Sequence, residues 1–310
     1  MKLIQTDFEK AGKEIWKTKH GKVILKRLGK PFSYSVKKLP RQWPIGFIYI
    51  ATNRRSSGIP ASLTLGIAWN LFYIQDDLID KKNKRYGKKT AYSVYGEYKC
   101  KSTFNKCLNQ EAANQNNIVD QIINDARAIL LRLAVLQDER QKGFSSIQEY
   151  SNNSVERLMF IRNCWYNAAV QSGDIELAKV IKDTSHLSLL TAQLRNDLKN
   201  TDKRETIQGN QQFSDFIENK TTFVTLPVIE NSTIEEKSKI KSISVPLAKS
   251  DLLFLQYLCN KYGTLKNIRQ KILENILILE RIGKTSSMSD RQKEVWSIYI
   301  QQTFKNNVIE

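Results

Sequence analysis

The chain has 310 residues, with 49 Lys and Arg against 31 Asp and Glu, giving a net charge of +18 that points to an anionic partner: nucleic acid, membrane surface or phosphorylated small molecule. Only 13 Gly and 6 Pro are present, which excludes turn-rich β-sandwiches and barrels and favours long helices with few interruptions. With 41% hydrophobic residues the chain buries enough apolar surface to offset its conformational entropy, so disorder is excluded as well.

In chain order, the segment beginning at Met1 lacks the apolar core of a signal peptide. No apolar run approaches the ~20 residues of a membrane span, and a cytoplasmic protein is expected. Ile45 to Ala51 is a short apolar stretch expected inside a buried helix. Residues 61–80 carry Leu65, Trp69, Phe72, Asp76 and Asp80 at three- and four-residue steps, one stripe of a helix. Helical spacing recurs over 117–138, 146–172, 176–200, 214–230, 250–262 and 265–282, and a last helix is predicted over 289–305 behind a Ser289 cap. Breaks are predicted at 52–60, 81–90, 139–146, 201–213, 231–247 and 283–288. None has the composition of an interdomain linker, and no repeat or low-complexity tract interrupts the pattern. The expectation is one all-α domain, residues 1–310, of about ten helices.

The four cysteines, Cys100, Cys107, Cys164 and Cys259, form no Cys-x-x-Cys pair and read as reduced thiols. His20 and His186 are the only histidines, and neither stands in a nucleophile or zinc-ligand context. Trp165, Tyr166 and His186 are expected to pack in the core.

Asp76-Asp77-Leu78-Ile79-Asp80 is the sharpest feature. Asp76 and Asp80 are one helical turn apart, so both carboxylates face one way and can hold Mg²⁺ while leaving coordination positions for phosphate oxygens. Carboxylates at the C-terminal end of a helix oppose its dipole unless a cation is near. The next nine residues, Lys81 to Lys89, hold six Lys and Arg. Acids abutting such a basic loop suit a metal-bound diphosphate, the metal bridging carboxylate to phosphate and the loop neutralising the rest. Downstream, Asn196 and Asn200 repeat the one-turn spacing with Asp197 between them. A second pair of oxygen donors on another helix can face the first across a cavity.

On these residues the chain resembles the class I isoprenoid synthases, the trans-prenyl diphosphate synthases and the terpene synthases that share their all-α fold. Asp76-Asp77-x-x-Asp80 is similar to the first Asp-rich motif, and Arg85-Tyr86-Gly87-Lys88-Lys89-Thr90 resembles the RRGKPT that follows it. Lys38-x-x-Arg41 keeps the spacing of the upstream GGKRxRP motif without its glycines. Tyr150 with Arg157 resembles the Y…KT segment, Gln193-x-x-Asn196-Asp197-x-x-Asn200 resembles QxxDDxxD with two Asp→Asn changes, and Lys220 lies in a segment similar to EGKxTLP. The resemblance spans roughly residues 35–230.

The resemblance implies a helical bundle with a central active-site cavity, often dimeric. Three Mg²⁺ ions would bridge an allylic prenyl diphosphate to the two motifs. Asp76 and Asp80 would be ligands with Asp77 in support. Asn196 would be the likeliest ligand of the second motif, Asn200 a further one, and Asp197 a ligand or a partner behind the ligands. Arg85, Arg157 and Lys220 would hold the diphosphate, with Lys38, Arg41 and Gln193 also on the substrate side. Ionisation would leave an allylic cation in a dry, aromatic-lined space, where Phe72 and Trp69 either limit chain length, stabilise the cation or simply pack.

Two departures favour a terpene synthase over a chain elongator. Tyr86 stands where the second arginine of RRG would bind the diphosphate of isopentenyl diphosphate, and tyrosine cannot replace a bidentate guanidinium. Asn196-Asp197-x-x-Asn200 resembles the first half of the terpene synthase Asn-Asp-x-x-Ser-x-x-x-Glu, although Arg204 occupies the Glu position and Glu205 falls one residue late. The sequence therefore places first a lyase that releases diphosphate and a hydrocarbon or alcohol. A trans-prenyltransferase is the alternative, elongating a chain or using another acceptor such as a peptide tryptophan. A non-catalytic subunit is disfavoured by the intact Asp76 and Asp80. No general base is identified. No nucleic-acid motif organises the remaining charge.

Overall fold

The computed structural model of the chain describes residues 5–38, 42–52, 56–79, 81–85, 87–109, 117–141, 143–202, 212–244 and 247–305. Asp80, Arg41, Tyr86, Arg204 and Glu205 lie outside the described residues. The described elements are helical apart from one short hairpin: α1 Gln5–Ile15, α2 Lys19–Leu28, α3 Lys30–Lys38, α4 Trp43–Ala51, a 3₁₀ turn Ser56–Gly58, α5 Ile59–Ile79, β1 Lys84–Arg85, β2 Lys88–Lys89 and α6 Ala91–Leu108. They continue as α7 Ile118–Gln141, α8 Ile147–Gln171, α9 Ile175–Asn200, α10 Ser214–Ile217, α11 Thr225–Asn231, α12 Ile234–Ser242, α13 Lys249–Lys261, α14 Thr264–Thr285 and α15 Asp290–Ile300, which runs on as a π-helical turn Gln301–Lys305. The all-α class expected from the scarcity of Gly and Pro is the class observed. None of the described helices is long and apolar enough to cross a membrane.

Contacts divide the chain into two compact units, residues 1–136, 158–185 and 282–299 in the first and 137–157, 186–281 and 300–310 in the second. In the first, α5 is buried along nearly its whole body, from Ala61 to Leu71 without a break. Its helix starts with Pro60 in the first turn, where the missing N–H has no intrahelical partner to lose. The apolar stretch Ile45 to Ala51 lies in α4 as expected, and α4 crosses α1 backbone to backbone. A Cβ on Gly46 would sit 1.8 Å from the Phe8 carbonyl oxygen, and one on Gly12 would sit 2.2 Å from that of Gln42, so only glycine permits this crossing. Beside it Phe47 stacks 4.3 Å from Trp165, whose indole N–H donates to the Pro44 carbonyl at 2.7 Å.

The predicted helix over 214–230 is two short helices instead. Phe213 and Asn219 adopt left-handed φ of 59° and 50°. Thr222 and Thr225 hold the intervening turn, the Thr222 hydroxyl accepting from the Val224 and Thr225 amides. Side-chain hydroxyls that bond nearby amides compete with helix continuation. The predicted break over 231–247 contains α12, started by a reciprocal box in which Thr233 accepts from the Glu236 amide and Glu236 from the Thr233 amide. The Ser289 cap is present, its hydroxyl accepting from the Gln292 amide while the Gln292 side chain accepts from the Ser289 amide. Trp165 is core as expected. Tyr166 and His186 are exposed; His186 lies opposite the buried stripe of Ile181, Thr184, Ser188 and Thr191 on α9.

Gly46→Ala is expected to lower the unfolding free energy by at least ~2 kcal/mol through overpacking at the α1–α4 crossing. Gly87→Ala, at φ 73° with open space around it, should cost only about 1 kcal/mol. Urea denaturation of the two variants checks the contrast.

Candidate active site

One candidate cluster is the C-terminal end of α5 with the hairpin that follows. Lys81 turns the chain in a left-handed conformation, and the hairpin pairs Lys84 with Lys89 and Arg85 with Lys88. Thr90 fixes its exit. Its hydroxyl donates to the Lys82 carbonyl at 2.7 Å and accepts from the Ser93 amide at 3.0 Å, capping α6. This geometry returns Arg85 to the helix end it left. Its Nε donates to Asp77 Oδ1 at 2.7 Å, its Nη2 pairs with Asp76 Oδ2, and its guanidinium lies 4.8 Å from the centre of the Tyr73 ring. One cation thus offsets two carboxylates placed at the unfavourable end of a helix dipole.

Asp76 and Asp77 are not equivalent. Asp76 keeps part of its carboxylate open, whereas Asp77 is fully buried. Burial pushes the Asp77 carboxyl up to about 6, a rise that the Arg85 charge opposes without cancelling. Asp77 Oδ2 is buried and has no hydrogen-bond partner. Further into α5, Trp69 is buried and Phe72 half-buried. Trp69 packs 5.1 Å from Tyr73 and 6.2 Å from Phe160, and Phe72 lies 6.2 Å from Tyr73. Tyr73 and Phe160 complete an aromatic wall that the motif reading passed over; the sequence signal for Tyr73 is its position one residue after Phe72, beneath the arginine.

Lys38, at the end of α3, is exposed and lines a groove between α2, α3 and α6 with Tyr34, Lys37 and Tyr95. It makes no described contact with the Asp76–Arg85 cluster. The Tyr34 hydroxyl donates to the Lys89 carbonyl at 3.0 Å, tying α3 to the hairpin.

A second candidate cluster, in the other unit, is the end of α9, with α8 and the turn before α11. Asp197 is its centre. Both carboxylate oxygens accept from the Tyr150 hydroxyl at 2.9 and 3.0 Å, Oδ1 accepts from Gln193 Nε2 at 2.7 Å, and Oδ2 accepts from the Phe223 amide at 2.9 Å. Burial pushes its carboxyl up to about 7, Asp215 adds to the rise, and the three donors oppose it. The Tyr150 ring is flanked by Phe144 and Phe223 at 5.8 and 5.2 Å. Gln193, assigned to the substrate side by resemblance, is buried and spends its amide on Tyr150 and Asp197.

Asn196 and Asn200 also part company. Asn196 is exposed. Asn200 donates to Ser214 Oγ at 2.8 Å and accepts from the Asp215 amide at 3.3 Å, so both ends of its amide hold the start of α10. Lys220 is part-buried, with Nζ 2.5 Å from Glu218. Arg157 is buried on α8. Five residues on, Arg162 was not singled out from sequence. It is 1% exposed, donates to the Tyr299 hydroxyl at 2.5 Å, and lies 4.5 Å from the Trp165 ring and 5.8 Å from that of Trp296.

The donor chemistry suits a hard cation. Around each motif the candidate ligands are oxygens, which fit Mg²⁺ and not a softer metal. Among the described residues no group of three His, Cys, Asp or Glu is close enough to hold a metal alone, in keeping with a first motif whose third acid, Asp80, lies outside them.

No protein-family model and no curated protein matches the chain. Solved structures do. The geranylgeranyl pyrophosphate synthetase of Pyrococcus horikoshii Ot3 is 15% identical, covers 97% of this chain and 98% of its own, and superposes with a TM-score of 0.71. The polyprenyl synthase of Caulobacter crescentus CB15, solved with calcium and isoprenyl diphosphate, gives 13%, 97%, 97% and 0.72. The heptaprenyl diphosphate synthase of Staphylococcus aureus gives 13%, 99%, 100% and 0.71. The chain has the all-α class I isoprenoid synthase fold, the one these trans-prenyl diphosphate synthases share.

Asp197→Ala strands three buried donors and is expected to lower the unfolding free energy by at least ~3 kcal/mol, against about 1 kcal/mol for Tyr150→Phe, which removes one hydroxyl. Arg85→Ala leaves Asp77 buried without its counter-charge and should cost on the order of 3 kcal/mol. Chemical denaturation of the three variants measures all of these.

Proposed function

We propose that the protein is a Mg²⁺-dependent trans-prenyltransferase. It ionises an allylic prenyl diphosphate by breaking its C–O bond, joins the allylic carbon to an acceptor that then loses a proton, and releases diphosphate. The observation that carries this reading is the pairing of Arg85 with Asp76 and Asp77, which sets a phosphate-binding cation against candidate metal ligands, on a fold whose solved examples include prenyl diphosphate synthases. The likeness runs over nearly the whole chain, C-terminal helices included, and it reverses the order in which the sequence places transferase and cyclase.

Asp76 and Asp80 would hold Mg²⁺ in the first motif. In the second, Asn196 is the better donor, because the amide of Asn200 is committed to α10. Bound Mg²⁺ supplies stabilisation of the negative charge that grows on the departing diphosphate. The chain's own cations share that task. Arg85 keeps its bond to the buried Asp77 and turns the rest of its guanidinium from the more open Asp76 to phosphate oxygens, which a guanidinium binds as it binds a carboxylate. Lys220 is held at the turn that Asp197 anchors and supplies a further ammonium. Trp69, Phe72, Tyr73 and Phe160 present ring faces to the ionised chain and exclude water that would quench it.

The cyclase is the second reading, favoured by Asn196, Asn200 and Tyr86. One experiment separates the two: purified protein with Mg²⁺ and geranyl, farnesyl or geranylgeranyl diphosphate, with and without isopentenyl diphosphate. Longer diphosphates formed only with isopentenyl diphosphate are expected; volatile hydrocarbons or alcohols formed without it would establish the cyclase instead. Asp76→Asn is expected to reduce turnover by on the order of 10²-fold or more, and wild-type rates in this variant would remove Asp76 from the metal site.

A further inference from the structure

In the second unit, two consecutive helices hold pairs of large apolar side chains in water. Leu273 and Leu277, one turn apart on α14, are exposed, Leu277 to 63%. They lie on the other side of the helix from the buried row of Ile268, Ile272 and Leu279. α13, joined to α14 through Tyr262 and Gly263, repeats the pattern. Its Leu253 and Tyr257 are 58% and 55% exposed, one turn apart, and turn away from the buried Leu255, Leu258 and Cys259. Single exposed apolar residues are ordinary, whereas apolar groups rimmed by polar ones mark an interaction surface.

The charges beside these pairs select the partner. Along α14 five Lys and Arg stand against two Glu. Of the two acids, Glu274 already accepts from Gln270 Nε2 at 3.1 Å and lies 3.8 Å from Lys271 Nζ, and Glu280 is half-buried. Lys266 and Arg269 precede the leucine pair and Arg281 follows it, all three exposed. The first turn holds Lys266 and no acid, although a cation near a helix N-terminus opposes the dipole. On α13 the apolar pair stands between Lys249 and Lys261, the second of which pairs with Glu236. An apolar row bracketed by cations is complementary to a layer with anionic head groups over an apolar interior. The leucines enter the layer, and the long Lys and Arg stems leave their charges among the head groups. A nucleic acid would meet the cations but leave the leucines in water.

We propose that the outward face of α14, together with the outward row of α13, docks reversibly on an anionic lipid surface. Among the described residues no helix is long and apolar enough to cross a membrane, so the helices lie on the layer. Burial of the leucines supplies a salt-independent part of the affinity, and attraction to the head groups a part that fades within a Debye length. Docking calls on none of the residues assigned to prenyl transfer.

Co-sedimentation with vesicles is the test. Vesicles of equimolar phosphatidylcholine and phosphatidylserine are expected to bind the wild-type protein at least about tenfold more tightly than phosphatidylcholine alone, a preference that shrinks in high salt. Leu273→Ser/Leu277→Ser is expected to lose about tenfold or more in affinity for the mixed vesicles, and Lys266→Gln/Arg269→Gln about tenfold. All four side chains are exposed, so both variants should fold, which thermal melting followed by circular dichroism checks. Leu131→Ser/Val135→Ser removes another exposed apolar pair, one turn apart on α7, and should keep wild-type binding. Unchanged binding in the α14 leucine variant would overturn the proposal, as would equal binding to the two kinds of vesicle or an equal loss in the α7 variant. So would a lipid-free dimer, seen by light scattering, that the α14 leucine variant breaks into monomers, because a second copy would then cover this face. Vesicle binding is measured without prenyl diphosphate and prenyl transfer without vesicles, so either reading can fail while the other stands.

Discussion

A carboxylate sealed from water must be held by donors, and this requirement shapes both motif-bearing helix ends. Asp77 and Asp197 each stand second in their motif, and each is buried. The residue before each, Asp76 or Asn196, remains open to solvent in part or in full. In both places the buried acid ties a helix end to the loop that brings up a cation. Asp77 does so through the side chain of Arg85, and Asp197 through the amide of Phe223, three residues past Lys220. The motif is therefore a division of labour: one residue is open to solvent while its neighbour, about 100° round the helix, fixes the loop that follows.

The all-α class was legible because helices need few breakers, and the chain has few. The stripe through Leu65, Trp69, Phe72 and Asp76 was legible for a similar reason, since a buried helix ending in acids is unusual. Which acid of each motif faces inward was not legible. Spacing puts Asp76 and Asp80 on one face, but the burial of Asp77 depends on an arginine returned by a hairpin, and that of Asp197 on a tyrosine 47 residues away in sequence. Local chemistry hid the break in 214–230. Asn219 and the two threonines at 222 and 225 read as tolerable helix residues, yet their hydroxyls and left-handed backbone form the turn that Asp197 needs. The helix at 234–242 was readable from Thr233 and Glu236, whose spacing is that of a capping box.

The charge of +18 separates into cations with different work. Arg85 compensates two acids. Arg162 is wholly buried among Trp165, Trp296 and Tyr299, where ring faces and a phenol oxygen take the place of a carboxylate. Cation–π contact strengthens when water is excluded, which makes such a cage tolerable, though burial still pushes the Arg162 guanidinium pKa down. Arginine suits this position because its flat, weakly hydrated guanidinium stacks where an ammonium would demand water. The lysines along α2 and α3 do neither job and stand exposed to solvent.

The two asparagines of the second motif follow from the same electrostatics. Asp197 already sits near neutrality in its proton affinity, with the Asp215 charge adding to the effect of burial. Aspartates at 196 and 200 would place two more negative charges beside it. Like charges disfavour ionisation, so they would raise the Asp197 carboxyl further, and a protonated Asp197 accepts the Phe223 amide and the Tyr150 hydroxyl less well. Neutral amides avoid this. Asn200 also holds the start of α10 without adding a charge, donating to Ser214 while accepting from the Asp215 amide. On the proposed reading the cost would fall on metal affinity, since an amide oxygen is a weaker ligand for a hard cation than a carboxylate. The second motif is thus built to hold the Lys220 turn firmly, and on the proposed reading the greater part of metal binding would fall to the first motif.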